Sequence, residues 1–203
     1  GCVIGATDGF SQRNQSMTVS EAIAENRAML RLARENGLYP QLTISVAFGC
    51  PFEGRVNPDT VIAIATEMAG AGAEEIALAD TIGVGVPPQV EELIARTREA
   101  VPGVRLRAHF HNTRGTGIAN AWAAYRAGAE VLDSSLGGLG GCPFAPNATG
   151  NIATEDLIYM LDQAGIETGF DLGRLIDASR WFETVMGKPL PSMVAKAGGF
   201  PGV

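Results

Sequence analysis

The sequence predicts an α/β fold built on parallel strands, and two observations carry that prediction. Short apolar runs alternate with longer amphipathic stretches of helical length. The sharpest polar residues stand directly after those runs: Asp80 after "IALA", His109 and His111 after "RLRA", and Asp133 to Ser135 after "EVL". Strand–helix alternation with short connections calls for right-handed parallel crossovers. In a βα barrel the C-terminal rim of the strands carries the chemistry, so the clustering of polar residues fits a TIM (β/α)8 barrel.

The strands are expected at 2–6 ("CVIGA"), 42–48 ("LTISVAF"), 75–80 ("EIALAD"), 104–111 ("VRLRAHFH") and 130–136 ("EVLDSSL"). Between them, 18–36 reads as a helix that opens on Thr18 and Glu21, spaced as a capping box, and closes at Gly37. Asn57 and Pro58 supply an N-cap and a first-turn proline for a helix over 58–71. Pro87 and Pro88 open another over 88–100, and further helices follow over 117–127, 153–164 and 171–186. A complete barrel has eight strands and about 250 residues. Five are visible here, so the expectation is either a smaller open sheet or a barrel without its first units. No linker or composition break divides residues 1–203, which read as one domain.

Composition sets outer bounds. The formal net charge of -7 argues against nucleic acid or an anionic membrane surface as partner, because both would repel it. No apolar run approaches the roughly 18 residues needed to span a bilayer. The first residues, "GCVIGATDGF", have no basic region like that of a signal peptide. Cys2, Cys50 and Cys142 are an odd number of widely separated thiols, which does not suggest a disulfide framework. A reducing, cytoplasmic setting is the expectation.

Three stretches carry candidate chemistry. In "HFHN", His109 and His111 are two residues apart on a strand and therefore face the same side. Paired neutral imidazoles suit a divalent ion with oxygen ligands completing the site; two hydrogen-bonded rim histidines are the plain alternative. In "SLGGLGGCPFAPNATGN", Gly138, Gly140 and Gly141 allow close approach to a ligand, and the loop they form is suited to carrying Cys142 over a substrate. Cys142 is then a candidate for proton transfer or nucleophilic attack, or else an inert thiol on a tight turn. Asn151 offers either a carbonyl oxygen to a hard cation or an N-cap to the helix near 153. Asp80, at the end of an apolar strand, needs a cation, a substrate hydroxyl or a turn amide as partner. Glu155 reads as first-turn dipole chemistry, and Trp122 and Trp181 as packing residues. "FGCPFEG" (48–54) reads as a turn over the barrel mouth.

Taken together, "DTIGVG", "HFHNTRG" and "SLGGLGGCPFAPNATGNIATEDL" resemble the 3-hydroxy-3-methylglutaryl-CoA lyases of the metal-dependent TIM-barrel lyase family. The resemblance runs to about residue 190. It implies that His109, His111 and Asn151 ligate Mg2+ or Mn2+, that Cys142 transfers protons, and that Asp80 lies at the active-site mouth as a catalytic residue. It implies an acyl-CoA thioester substrate, retro-Claisen cleavage to acetyl-CoA and acetoacetate, and a homodimer. Relatives carry an Arg-Asp pair and a glutamate on earlier strands, and "CVIGA" matches their fourth. A truncated lyase is therefore the expectation, with a catalytically silent fragment as its rival. Asn112 and Arg114 stand where better-known members have Asp and Tyr, which suggests a different branched 3-hydroxyacyl-CoA, such as citramalyl-CoA. A condensing synthase or aldolase of the same superfamily is disfavoured by the Cys142 loop.

Overall fold

In the computed structural model, residues 1–141 and 150–202 are described. Among them the strands are β1 (Cys2–Gly5), β2 (Gln41–Ser45), β3 (Glu75–Asp80), β4 (Arg105–Phe110) and β5 (Val131–Asp133). The helices are α1 (Asp8–Gln15), α2 (Val19–Glu35), α3 (Pro58–Gly70), α4 (Pro87–Ala100), α5 (Gly117–Ala127), α6 (Thr154–Gln163), α7 (Leu172–Met186) and α8 (Met193–Ala197). A 3₁₀ turn spans Leu136–Gly138. The strands form one sheet in the order β1-β2-β3-β4-β5, every neighbouring pair parallel.

Sequential order means that each right-handed crossover advances in the same direction, so the helices between strands stack on one face. Leu42 and Ile44 on β2, Ile76 and Leu78 on β3, and Leu106, Ala108 and Phe110 on β4 face that layer and are buried. They meet Leu30 of α2, Ile64 and Met68 of α3, Ile94 of α4 and Ala121 and Ala124 of α5 in a single core. Alternate residues of the strands project from the other face, where Thr43 and Ser45, then Arg107 and His109, are only partly covered. This one-sided helix layer is the wall of a TIM barrel, five βα units of it.

Helix starts follow the local chemistry of the sequence. Thr18 and Glu21 form the reciprocal capping box: Thr18 Oγ1 accepts from the Glu21 amide at 3.2 Å, and the Thr18 amide donates to Glu21 Oε2 at 2.7 Å. Asn57 caps α3 by accepting from the Asp59 amide at 3.0 Å, with Pro58 in the first turn. Two elements were not anticipated, α1 and α8. The α1 sequence DGFSQRNQ is too polar for an apolar stripe to show, and only its Thr7 cap marks it. At α8 the marker is Ser192, whose hydroxyl accepts from the Ala195 amide.

Two strands end earlier than their apolar runs. β2 stops at Ser45 because Val46 takes φ 53, a left-handed conformation that a β-branched residue rarely adopts. Its amide donates to Thr81 Oγ1 at 2.8 Å in a buried position, which holds the turn in place. β5 stops at Asp133 because Ser135 pairs instead with Ala153. Trp181, expected to pack, is 64% exposed and stacks on Phe182.

The core accounts for stability in a testable way. Replacing fully buried Ile76 by alanine is expected to destabilise the protein by about 2–5 kcal/mol. Val3→Ala, at a site 37% exposed, is expected to stay within about 0.5 kcal/mol. Urea unfolding monitored by circular dichroism separates the two.

Candidate active site

The end of β4 gathers the site. His109 and His111 lie with ring centroids 5.3 Å apart and planes inclined at 58°. His111 is buried, and His109 is half-buried on the open face. The chain then brings a distant segment alongside. Residue 151 forms an antiparallel bridge with His111, and Ala153 a parallel bridge with Ser135. The Ile152 amide donates to the Phe110 carbonyl at 3.1 Å, and the Asn112 amide to the Gly150 carbonyl at 2.9 Å. From the β5 side, the Ser135 amide donates to the Ile152 carbonyl and the Thr154 amide to the Ser135 carbonyl. Residues 150–154 thus fill the gap between the ends of β4 and β5, placing Asn151 beside His111. Asn151 does not cap α6; Ala153 stands at that position, with no side-chain cap.

Glycine is required at two points of this arrangement. A Cβ on Gly140 (φ 108) would fall 2.5 Å from Asn151 Nδ2, and one on Gly150 (φ 133) would fall 2.6 Å from the carbonyls of Gly138 and Gly140. Asn151 Nδ2 donates to the Leu139 carbonyl at 2.8 Å, which fixes the amide and aims Oδ1 elsewhere. Gly138 is buried behind Asn151, while Gly140 and Gly141 are exposed. Cys142 lies outside the described residues.

Two atoms here are buried without an aligned hydrogen-bond partner among the described residues: Nδ1 of His111 and Oδ1 of Asn151. Orphaned buried acceptors are costly unless something pairs with them. Burial, followed by the neighbouring His109, pushes the His111 pKa down to about 4, and the adjacent Asn151 carboxamide opposes this in part. His111 is therefore neutral near pH 7, the state in which an imidazole ligates a cation. Two imidazole nitrogens and a carboxamide oxygen fit a divalent ion such as Mg2+ or Mn2+. Among the described residues no three His, Cys, Asp or Glu side chains come together as a metal site.

Other sequence candidates have structural work. Asp80 stands in register with Phe110 and leaves β3 on the helix-packed face, opposite the imidazoles. Its Oδ1 accepts from the Val84 amide at 2.9 Å and its Oδ2 from the Gly85 amide at 2.8 Å. Burial raises its pKa, and those amides work against the rise. Of the partners expected for Asp80, the structure shows the turn amides, through which it holds the β3–α4 loop. Arg114 donates to the carbonyls of Ile82 and Gly83 at 2.8 and 3.1 Å, bracing the same loop from β4's side. Asn112 Oδ1 accepts from the Gly117 amide at 3.0 Å and starts α5. Glu155 lies in the first turn of α6, as expected, but is fully buried, and both its oxygens accept from the Gly137 amide at 3.0 and 3.1 Å, tying the glycine turn to α6. Cys50 is buried, its sulfur accepting from Thr7 Oγ1 at 3.1 Å and from the Phe52 amide at 3.4 Å.

Sequence reasoning passed over Glu75 and Arg107, which share the open face with His109 and with Asp133. Arg107 Nε is 3.2 Å from Glu75 Oε1 and 3.7 Å from Asp133 Oδ2. The pattern was present in "RLRAHFH", where Arg105, Arg107, His109 and His111 alternate with apolar residues. Surface clefts of about 680 Å³ lie along Arg27, Arg31 and Arg34 and beside Glu74 and Arg105 at the opposite strand ends, away from the imidazoles.

The HMGL-like family model matches residues 2–181. The chain belongs to the HMGL-like family. It is 46% identical over 196 residues to (R)-citramalyl-CoA lyase of Chloroflexus aurantiacus, covering 97% of this chain and 62% of that protein. It is 40% identical to a hydroxymethylglutaryl-CoA lyase of Bacillus subtilis, covering 94% of this chain and 64% of that one. Among solved structures, an HMG-CoA lyase from Acenitobacter baumannii in complex with coenzyme A and 3-methylmalate superposes with a TM-score of 0.94 at 38% identity. That match covers 99% of this chain and 66% of the other. The chain thus spans under two thirds of the length of these two curated relatives.

Removing the buried imidazole of His111 by alanine substitution is expected to weaken Mn2+ binding at least about tenfold, measured by titration calorimetry. Asp80→Ala is expected to leave Mn2+ affinity within twofold while lowering stability by about 1–3 kcal/mol per orphaned loop amide. Equal Mn2+ affinity of His111→Ala and wild type rejects the ligand assignment.

Proposed function

We propose that this protein is a divalent-metal-dependent carbon–carbon lyase acting on a 3-hydroxy-3-methylacyl-CoA thioester. The observation that carries the reading is two imidazoles 5.3 Å apart beside the buried Asn151 carboxamide oxygen, which has no aligned hydrogen-bond partner among the described residues. Membership of the HMGL-like family and similarity to a lyase crystallised with coenzyme A support the acyl-CoA class. No helix of the described residues is long and apolar enough to cross a membrane.

In this reading His109, His111 and Asn151 hold Mg2+ or Mn2+. When bound, the ion supplies Lewis-acid polarisation of the substrate oxygens. The reaction is a retro-Claisen cleavage. The tertiary hydroxyl loses its proton, its oxygen becomes the carbonyl of the released oxo acid, and the C2–C3 bonding pair passes to the acetyl-CoA enolate. A proton then returns to C2. Cys142, outside the described residues, is assigned that transfer on the resemblance of its loop. The β3–α4 loop, pinned by Asp80 and Arg114, and the glycine turn, pinned by Glu155, hold the rim around the ion. A homodimer belongs to this reading on family grounds.

Two substrates fall within the class. Cleavage of 3-hydroxy-3-methylglutaryl-CoA gives acetoacetate, and cleavage of citramalyl-CoA gives pyruvate, each with acetyl-CoA. The second has a specific observation in its favour, the 46% identity to a citramalyl-CoA lyase against 40% to a hydroxymethylglutaryl-CoA lyase. Asn112 and Arg114 do not supply one, since their side chains brace loops.

The deciding assay incubates the protein with Mn2+ and each thioester and measures acetyl-CoA, acetoacetate and pyruvate by mass spectrometry. Acetyl-CoA release is expected from at least one; intact substrate in both incubations rejects the lyase reading. Cys142→Ala is expected to lower kcat by about 10²–10⁴ with Mn2+ affinity unchanged.

A further inference from the structure

We infer that Asp133 is a positioning residue for the cation: it holds His109 with the proton on Nδ1, leaving Nε2 bare for the ion, and Arg107, anchored by Glu75, holds Asp133 in turn. The inference rests on the metal reading above and assigns work to three residues outside the ligand set.

The sheet itself creates the arrangement. Asp133 is the register partner of His109 across the β4–β5 ladder, so the two side chains leave the sheet on the same face as immediate neighbours. Asp133 Oδ2 lies 3.4 Å from His109 Nδ1. A carboxylate only accepts hydrogen bonds, whereas a neutral imidazole carries its proton on one nitrogen and a lone pair on the other. A carboxylate 3.4 Å from Nδ1, which a small rotation of either side chain brings into line as an acceptor, favours the Nδ1–H tautomer and frees Nε2. Carboxylates commonly orient metal-binding histidines in this way and raise the basicity of the ligating nitrogen.

Asp133 itself needs a fixed direction, and the next side chain down β4 provides it. Arg107 projects from the same face two residues before His109, with Nε 3.7 Å from Asp133 Oδ2 and 3.2 Å from Glu75 Oε1. Glu75 is 3% exposed, and a carboxylate at that depth requires a counter-charge. Arg107 supplies it as an ion pair: its Nε faces both carboxylates without an aligned hydrogen bond to either. The chain of contacts runs Glu75, Arg107, Asp133, His109 across three adjacent strands, from a buried anchor to a candidate ligand. Two carboxylates against one guanidinium leave one net negative charge beside the imidazoles, a field that favours a cation.

The test compares wild type, Asp133→Ala and Asp133→Asn in the full chain. The side-chain nitrogen chemical shifts of His109 are recorded by NMR without metal, and Mn2+ affinity is measured by titration calorimetry. Wild-type His109 is expected as the Nδ1–H tautomer. Asp133→Ala is expected to shift it to a mixture with the Nε2–H form and to weaken Mn2+ binding about 10–100-fold. Asp133→Asn, which keeps a carbonyl acceptor, is expected to preserve the tautomer with a smaller loss of affinity. An Nε2–H His109 in the wild type overturns the inference, and that measurement needs no variant to fold. So does an Asp133→Ala protein with wild-type tautomer and affinity. Failure of the wild type itself to bind Mn2+ overturns the metal reading beneath it, a result distinguishable from loss of the positioning role alone.

Discussion

The candidate site depends on a short length of backbone rather than on any one side chain. Residues 150–154 lie between the ends of β4 and β5, antiparallel to His111 on one side and paired with Ser135 on the other. β5 stops at Asp133, and beyond it residues 150–154 pair with the ends of both strands. With that pairing, a carboxamide from beyond the glycine loop is delivered to an imidazole at the end of β4, and its orientation is fixed by the Leu139 carbonyl. These main-chain hydrogen bonds satisfy the backbone groups of the segment while it holds Asn151 beside His111.

The loops at the strand ends share a common design. Three are pinned by a buried polar group that accepts from backbone amides: Asp80 for the β3–α4 loop, Glu155 for the glycine turn, and Thr81 for the turn at Val46. Burying such groups is costly unless their hydrogen bonds are made, and here they are made to the backbone they must hold. The result is a rim whose conformation is specified from within. Val46, where the chain turns away from β2, takes a strained left-handed conformation that Thr81 holds through its backbone amide.

The open face of the sheet is polar in a way that the helix-packed face is not. Glu75, Arg107, Asp133 and His109 occupy it as a connected series of charges and an imidazole, whereas Leu106, Ala108 and Phe110 behind them are sealed in the core. One strand thus serves stability with one set of residues and chemistry with the other. The period of two along a strand makes this division possible.

Much of this was legible in the sequence. The βα rhythm, the capping box at Thr18, the Asn57–Pro58 helix start and the shared face of His109 and His111 are local properties, carried by residues a few positions apart. They depend on periodicity and on cap chemistry that the chain states directly. The roles of Asp80, Glu155 and Asn151 were not legible, because each depends on what lies opposite in space. A carboxylate at a strand end reads the same whether it faces a substrate or a loop amide, and an asparagine before a helix reads as a cap. Only the tertiary fold shows what lies opposite each, by bringing Val84 and Gly85 to Asp80, Gly137 to Glu155, and His111 to Asn151 across 40 positions of sequence. Hydrogen bonding and burial are properties of pairs, and the sequence names only one member of each pair at a time.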